Sequence, residues 1–205
     1  MPEPETVRDF RRAQIIGAAR RIVARDGLHA LTVSALEGEL AFTRGVITYH
    51  FRNKEEIVQA VLASALADVE HATVSRVRSS MGAAEKIEAL LRSTVRGLLD
   101  NVEASMVLLS FWGRIPADPE IAELNARLYE RYRAYTRDVL AEGVATGDFV
   151  PAAASDAVAA LVVGIVIGTV AQVCFEAGCI DPDAVVAEAA GAILGHVRHR
   201  AASCA

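Results

Sequence analysis

The segment from Ala157 to Phe175 contains no charged residue, and this restricts how the chain can fold. A helix that is apolar on all sides must be surrounded by protein or by lipid. The segment is at the short end of the ~17–25 residues that cross a bilayer. Its flanks are Asp156 and Glu176, without the Lys or Arg that orients a membrane span. We therefore predict a helix buried in protein, with no membrane association, and keep a membrane span as the less favoured alternative.

Two glycines in this segment, Gly164 and Gly168, lie one helical turn apart and would allow a second helix to approach closely. An amphipathic helix follows, so the two helices together form a hydrophobic slab. Pairing this slab with a copy of itself produces a four-helix interface, and we expect a homodimer. The residues expected at the dimer interface are Leu161, Gly164, Ile165, Gly168, Val186 and Ile193.

The rest of the chain also has the pattern of an all-α protein. Apolar residues recur at helical spacing, and the alternation that is typical of strands is almost absent. N-cap residues, prolines at first helical positions and glycines after last turns mark the helix ends. They predict about nine helices, covering 6–25, 33–40, 44–50, 53 to beyond 69, 83–100, 103–112, 119–145, 156–176 and 182–199.

Charge is distributed unevenly along the chain. The net charge of −5 argues against a nucleic-acid partner if the chain is taken as a whole. Residues 1–54, however, carry nine Lys or Arg and six Asp or Glu, a balance of +3, whereas the remainder carries twelve and twenty, a balance of −8. A basic segment joined to an acidic body is typical of a DNA-binding head.

Two short helices joined by a tight turn occupy residues 33–50. In the second of them, Ile47 and Phe51 lie one turn apart, where they would pack against Leu36 and Leu40 of the first. This is the arrangement of a helix-turn-helix, whose second helix enters the major groove of DNA. We expect a DNA-binding domain over 1–52 and a helical ligand-binding and dimerisation domain over 53–205.

The residues expected to contact DNA have side chains suited to bases or phosphates. Arg44 can donate two hydrogen bonds to the O6 and N7 edge of guanine. Lys54, with the free amides at the start of the fourth helix, forms an anion site for a phosphate. The full predicted set is Thr32, Ser34, Thr43, Arg44, Gly45, Thr48, Tyr49, His50 and Lys54.

The sequence from Ala41 to Phe51, followed by Asn53-Lys54-Glu55, resembles the TetR-family motif G-V-S-x-G-T-L-Y-x-H-F followed by S/N-K-E. The resemblance covers about residues 8–68. It implies a DNA-binding transcription regulator, in particular a homodimeric repressor that a small molecule releases from its operator. Ala41 replaces the turn glycine, so we expect a turn that is either slightly different or strained, and Val46 and Thr48 replace the usual Thr and Tyr. These departures leave one alternative open, a dimeric binding module that has lost DNA binding.

Beyond residue 100 the likeness is to the ligand-binding domain of choline–betaine repressors. It rests on Phe111-Trp112-Gly113, the helix with Tyr129 to Tyr132, and Gly147-Asp148-Phe149. The resemblance implies a body that binds a small molecule, without identifying it as choline. The candidate ligand-binding residues are Met106, Phe111, Trp112, Tyr129, Tyr132, Cys174 and Phe175. The alternative for each of them is packing in the core.

Nothing in the sequence predicts an enzyme, a cofactor or a metal site. There is no nucleophile elbow, no H-E-x-x-H pair and no glycine-rich phosphate loop. His196 and His199 lie one turn apart near the C-terminus without a third ligand. Cys174, Cys179 and Cys204 form no disulfide framework, and no secretory leader opens the sequence, so we expect a cytoplasmic protein.

Overall fold

The computed structural model describes residues 7–74, 82–153 and 155–198, and these residues form helices and connecting turns without a strand. This confirms the predicted all-α class. The helices are α1 (Val7–Asp26), α2 (Val33–Leu40), α3 (Arg44–His50), α4 (Lys54–Val74), α5 (Ala83–Asp100), α6 (Val102–Phe111), α7 (Pro119–Thr146), α8 (Asp156–Phe175) and α9 (Pro182–Arg198). Single 3₁₀ turns lie at Leu28–Ala30, Trp112–Arg114 and Pro151–Ala153.

The helix ends agree with the cap signals to within a residue or two in the described part of the chain. Helix α6 begins at Val102, one residue before the predicted start, because the Asn101 side chain accepts a hydrogen bond from the Ala104 N–H at 3.2 Å. It ends at Phe111, since Trp112 already belongs to the following 3₁₀ turn. His199 and Cys204 lie outside the described residues.

The chain divides into two compact units. The head unit comprises Met1–Glu70 and Asn101–Ile121, and the body unit comprises His71–Asp100 and Ala122–Ala205. The expected domain boundary between residues 52 and 53 falls inside the head unit, which also contains most of α4 and all of α6. The division into a DNA-binding and a ligand-binding domain stays a prediction.

The core of the head unit forms around α1. Its buried residues Ile15, Ala18, Ala19, Ile22 and Val23 recur at intervals of three and four and therefore make one apolar stripe. Helices α2, α3 and α6 pack against α1. Helix α4 contributes a further buried stripe in the same unit, which runs from Ile57 through Val61 to Ala65.

The core of the body unit is made by α5, α7, α8 and α9. Ile87 and Leu91 of α5 and Leu140 of α7 are fully buried there. Phe149, which follows α7, packs back against that helix: its N–H donates to the Gly143 carbonyl at 2.9 Å, and its ring occupies the space that a side chain at position 143 would need. Gly147 makes this return possible, because its φ of +82° lies in the left-handed region.

Helix α8 is buried along one side only. Val158, Val162, Val166 and Val170, spaced one turn apart, face the core of the body unit. On the other side Leu161 and Phe175 are 55% and 67% exposed. By length and composition α8 alone, in the part of the chain that the structure describes, qualifies as a candidate membrane span, a test that core helices of soluble proteins also pass.

Candidate nucleic-acid interface

The scaffold of the predicted helix-turn-helix is formed as expected. The Thr32 side chain caps α2, accepting a hydrogen bond from the Ala35 N–H at 3.0 Å. Leu36, Ile47 and Phe51 are all buried, so α2 and α3 hold each other through apolar contacts. Leu40, also expected in this contact, is partly buried. The burial of Ile47 fixes which side of α3 faces outward.

The outward side of α3 carries the residues expected to read DNA. Thr43, Arg44, Gly45, Thr48 and Tyr49 are all exposed, Tyr49 to 71% of its surface. No ion pair to Arg44 is formed by any residue that the structure describes, so its guanidinium is available for a ligand. Exposed cations and hydroxyls on one side of a helix that is anchored on its other side are suited to the edges of bases.

Three of the remaining predicted contacts lie at the start of α2, at the end of α3 and at the start of α4. Ser34 is exposed at the start of α2, while Lys54 and His50 are partly exposed. The His50 ring contacts Tyr49 edge-on at 5.1 Å between centroids, and its Nδ1 is buried without a hydrogen-bond partner among the described residues.

Two of the predicted hydroxyl contacts already have a role within the protein. The Thr48 Oγ1 donates to the Arg44 carbonyl at 3.0 Å, and the Thr32 Oγ1 is the cap acceptor of α2. Their oxygens can still accept a hydrogen bond, and the Thr48 methyl group remains exposed on the α3 surface. Thr48 therefore offers an acceptor and an apolar contact rather than a free donor.

The turn between α2 and α3 is strained as the sequence predicts. Ala41 has a φ of +51° and a ψ of +30°, the left-handed conformation, and it is the one non-glycine residue with positive φ in the described ranges. For an L-residue with a Cβ this costs about 1–2 kcal/mol. The turn geometry of the helix-turn-helix is thus retained although glycine is absent.

The start of α4 is capped reciprocally. Asn53 Oδ1 accepts from the Glu56 N–H at 2.8 Å, and Glu56 Oε2 accepts from the Arg52 N–H at 2.9 Å. In a standard capping box the glutamate would accept from the N–H of the N-cap residue, here Asn53, whereas Glu56 accepts from the residue before it. This hydrogen bond, followed by the charge of Arg12, lowers the pKa of Glu56 below its usual 4.5, so Glu56 is ionised at neutral pH.

Three arginines near the N-terminus of α1 contact aromatic rings of the helix-turn-helix. The guanidinium carbons of Arg8, Arg11 and Arg12 lie 5.9, 5.0 and 4.1 Å from the ring centroids of Tyr49, Phe42 and Phe51, respectively. Such distances are typical of cation–π contacts. These arginines were not among the residues predicted to contact DNA. The sequence feature that could have identified two of them is that Arg8 and Arg12 lie in line with the apolar stripe of α1.

The predicted ligand-binding residues are divided between the two units. Met106, Phe111 and Trp112 belong to the head unit, and Tyr129, Tyr132, Cys174 and Phe175 belong to the body unit. Phe111 is fully buried, which favours the core interpretation for that residue, whereas Trp112 is exposed. Cys174 is partly buried against the core of the body unit, and burial raises the pKa of its thiol; Cys179 is exposed.

A cavity of about 340 Å³ lies in the head unit between α1, α4 and α6. Its lining includes Arg20, Ser64 and Glu103 and none of the predicted ligand-binding residues. The side chain of Arg20 is only 12% exposed, and it pairs with Asp68 at 2.6 Å and with Glu103 at 3.0 Å.

The residues expected at a dimer interface lie in two different environments. Leu161, Gly164, Ile165 and Gly168 are exposed or partly exposed on α8. Val186 and Ile193 of α9 are instead buried in the core of the body unit, where they pack against residues of the same chain. An added Cβ at Gly164 or Gly168 would meet no atom within 4 Å, so contacts within the chain do not require glycine there.

Comparison with known families gives two matches. Residues 15–61 match the family described as bacterial regulatory proteins, tetR family, and residues 83–197 match the BetI-type transcriptional repressor, C-terminal. The regulators named BetI of Burkholderia cenocepacia and Burkholderia thailandensis are 26% identical over 123 residues, 58% of this chain and 62% of each relative. The match thus spans less than two thirds of the length of these relatives.

Solved structures share the fold over nearly the whole chain. A protein from Saccharomonospora viridis, solved in complex with choline, has a TM-score of 0.79 and 23% identity over 92% of this chain and 98% of its own. The ketosteroid transcriptional regulator KstR2 of Mycobacterium tuberculosis has a TM-score of 0.71 and 20% identity over 93% and 96%. A chain solved with bound choline and a chain named for ketosteroids therefore share this fold.

Proposed function

Because this chain belongs to the TetR family of bacterial transcription regulators, with a C-terminal region of the BetI type, we propose that it is a homodimeric repressor that a small molecule releases from its operator. The family membership agrees with the prediction that the chain is not an enzyme. The observation that carries the proposal is the outward side of α3, where the exposed Arg44, which pairs with none of the described residues, lies on a helix anchored by Ile47 and Phe51.

On DNA, α3 lies in the major groove and reads base edges with Arg44, Tyr49 and Thr48. Lys54 and the first amides of α4 bind an adjacent phosphate, while Thr32 and Ser34 at the start of α2 bind the other strand. The remaining residues of the proposed DNA-contacting set are Thr43 and Gly45 at the start of α3 and His50 at its end. Val46 is exposed on the same helix and offers an apolar surface where relatives have a hydroxyl.

Two copies of the chain associate through α8 and α9 in the proposed dimer. Support comes from the exposed Leu161 of α8, from the partly buried Ile165 near it, and from the two glycines that face open space. Glycine in a helix interior costs about 1 kcal/mol relative to Ala, and a closely approaching partner helix would account for it. Val186 and Ile193 support this face from within by holding α9 in the core. The dimer presents two heads to half-sites about one helical turn apart.

An effector that binds the proposed regulator shifts its population of conformations. The candidates that remain partly or fully exposed are Met106, Trp112, Tyr129, Tyr132, Cys174 and Phe175. Helix α4 is unbroken from Lys54 to Val74, so a displacement of its far end is transmitted to the start of the helix beside α3. An effector with higher affinity for the displaced state lowers operator affinity. Choline is a suitable first compound to test, and a compound that binds tightly without changing operator affinity would contradict this mechanism.

DNA binding is tested with the full chain and a duplex of its own promoter region. Arg44→Ala should weaken specific binding by about 1–3 kcal/mol, the value of a good bidentate base contact. Lys54→Ala should weaken binding to all sequences and reduce the slope of log K against log salt by ~0.9. Arg127→Ala, which removes an exposed arginine of α7 paired with Glu123, is the control and should change neither quantity.

Unchanged affinity in both head variants would contradict DNA reading and favour a dimeric binding module that has lost it. The proposal also places the protein in the cytoplasm. A chain that is purified without detergent as a dimer agrees with this, whereas a requirement for detergent would support the membrane alternative for α8.

A further inference from the structure

Arg12 of α1 makes contacts with two other elements of the head unit. Its Nη1 donates to the carbonyl oxygen of His50 at 3.0 Å and to Glu56 Oε1 at 3.4 Å. Its guanidinium lies over the ring of Phe51, 4.1 Å from the centroid. One side chain therefore holds the last residue of α3, the residue after it, and the first turn of α4.

The contact with His50 acts at the C-terminal end of α3. The last carbonyls of a helix have no partner within the helix, and a cation there also interacts favourably with the helix dipole. Helix α3 has only seven residues, so a single bond at its end constrains a large part of it. The Phe51 N–H, which donates to the Ile47 carbonyl at 3.0 Å, closes the final turn at the same place.

The contacts with Phe51 and Glu56 fix the guanidinium itself. Phe51 is buried, so the ring provides a rigid surface for one side of the guanidinium plane. Glu56 is held by the Arg52 N–H through its other oxygen. The positions of the α3 end and the α4 start are thus coupled to α1 through Arg12.

We propose that Arg12 is a positioning residue for DNA reading, which sets the orientation of α3 through the His50 carbonyl, the Phe51 ring and Glu56. The inference rests on the proposed function as a DNA reader. It differs from a phosphate contact because the Arg12 charge is used within the protein, and its removal alters how α3 lies rather than how many phosphates are neutralised.

The test compares Arg12→Met with Arg21→Met in the full chain. Met keeps the length and apolar body of the arginine and removes its charge and donors. Arg21 is the matched control, since it lies on the same helix and its guanidinium pairs with Glu39 of α2. Both variants lower the charge of the head by one.

For Arg12→Met we expect about tenfold weaker binding to the promoter duplex, a loss of ~1.4 kcal/mol, because a misplaced α3 forfeits part of its base contacts. Affinity for a random duplex should change less than about twofold, and the salt slope should stay within ~0.3 of the wild type, since no phosphate contact is lost. Glu56→Gln, which keeps an acceptor for the Arg52 N–H, should act in the same direction with a smaller loss. Arg21→Met should leave all three quantities unchanged.

Hydrogen exchange of the free protein provides a readout without DNA. The amide of Phe51 should exchange faster in Arg12→Met than in the wild type. In Arg21→Met its exchange rate should equal that of the wild type. If the wild type failed to bind the promoter while this amide responded, the proposed function would be contradicted and the role of Arg12 in holding α3 would stand.

Two results would overturn the inference. One is an equal loss of affinity for promoter and random duplexes with a salt slope reduced by ~0.9, which would make Arg12 a phosphate contact. The other is a variant, Arg12→Met or Glu56→Gln, in which both the exchange rate of the Phe51 amide and the promoter affinity equal those of the wild type. If Arg12→Met fails to fold, the promoter affinity and the Phe51 amide exchange of Glu56→Gln decide whether the inference holds.

Discussion

The Nε of Arg20 lies 3.0 Å from the Glu103 carboxylate, so that an ion pair joins α1 to α6. The Nη1 of the same arginine contacts Ser64 at 3.0 Å and Asp68 at 2.6 Å, both on α4. Asn101, which caps α6, donates to the same Asp68 oxygen at 3.4 Å. One mostly buried cation thus holds three helices of the head unit together.

Replacing Arg20 by Met should lower the free energy of unfolding by about 1–3 kcal/mol, because Asp68 and Glu103 lose their partner in a partly buried setting. Urea denaturation at neutral pH measures the change. The control is Arg127→Met, whose pair with Glu123 is exposed on both sides and should contribute less than ~1 kcal/mol. Equal effects of the two substitutions would show that the Arg20 contacts contribute no more than a surface ion pair.

The strained turn makes Ala41→Gly a stabilising substitution. Glycine adopts the left-handed conformation of position 41 without a Cβ clash, so we expect thermal unfolding to show a gain of about 1 kcal/mol. Ala35→Gly, the same change inside α2, should destabilise by roughly 1 kcal/mol. A loss of stability for Ala41→Gly would mean that the turn is not held in the left-handed region in solution.

Gly143 of α7 should tolerate no side chain. A Cβ at this position would overlap the ring of Phe149, which is itself buried, and we expect Gly143→Ala to destabilise the protein by about 1–3 kcal/mol. Gly17→Ala in α1 is the contrasting variant: its Cβ would sit 3.8 Å from an Arg21 nitrogen. That change should be neutral or stabilising by up to ~1 kcal/mol. Chemical denaturation of both variants checks the difference.

Gly168→Leu should separate the proposed dimer while leaving the fold of each chain unchanged. A large side chain keeps a partner helix at a distance, whereas within the chain the site is open. Sedimentation at several concentrations measures the association, and circular dichroism measures the helix content. Ala141→Leu, at an exposed position of α7, is the control for added apolar surface. A Gly168→Leu chain that remains as dimeric as the control would contradict an interface on this side of α8.

Glu56 should contribute to stability above its unfolded pKa and lose that contribution in acid. Its pKa in the folded protein is lowered, first by the Arg52 N–H and then by Arg12. When the pH falls just below the usual pKa of 4.5, Glu56 therefore takes up a proton in the unfolded chain before it does so in the folded protein. The stability difference between wild type and Glu56→Gln should therefore be largest at neutral pH and shrink as the pH falls below 4.5. Urea titrations at pH 7 and in this acid range measure it. A difference that stays constant with pH would mean that ionised Glu56 gains nothing from its partners.

The helix boundaries could be predicted because their signals are local. Thr32, Asn53 and the proline at 119 act on residues within one turn of themselves, so cap patterns in the sequence placed the helix ends closely. Ile47 and Phe51 were predictable for a similar reason, since helical spacing determines which residues share a face.

Contacts between distant parts of the chain were not predictable in this way. Nothing near Arg12 or Arg20 in the sequence indicates that one contacts His50 and the other Glu103. Val186 and Ile193 show a further limit: periodicity identified an apolar face of α9, but an apolar face packs equally well in the chain's own core or against a partner. The packing of the body unit determines that choice.

The presence of α6 in the head unit has a consequence for exchanging parts between regulators. The buried stripe of α1 is covered partly by a helix that the chain reaches only after leaving the head and returning to it. A chimera that joined residues 1–70 of this protein to the remainder of a relative would place a foreign helix on that stripe. Transplanting 101–121 together with 1–70 preserves the native pairing, so the portable module is two separate stretches of sequence.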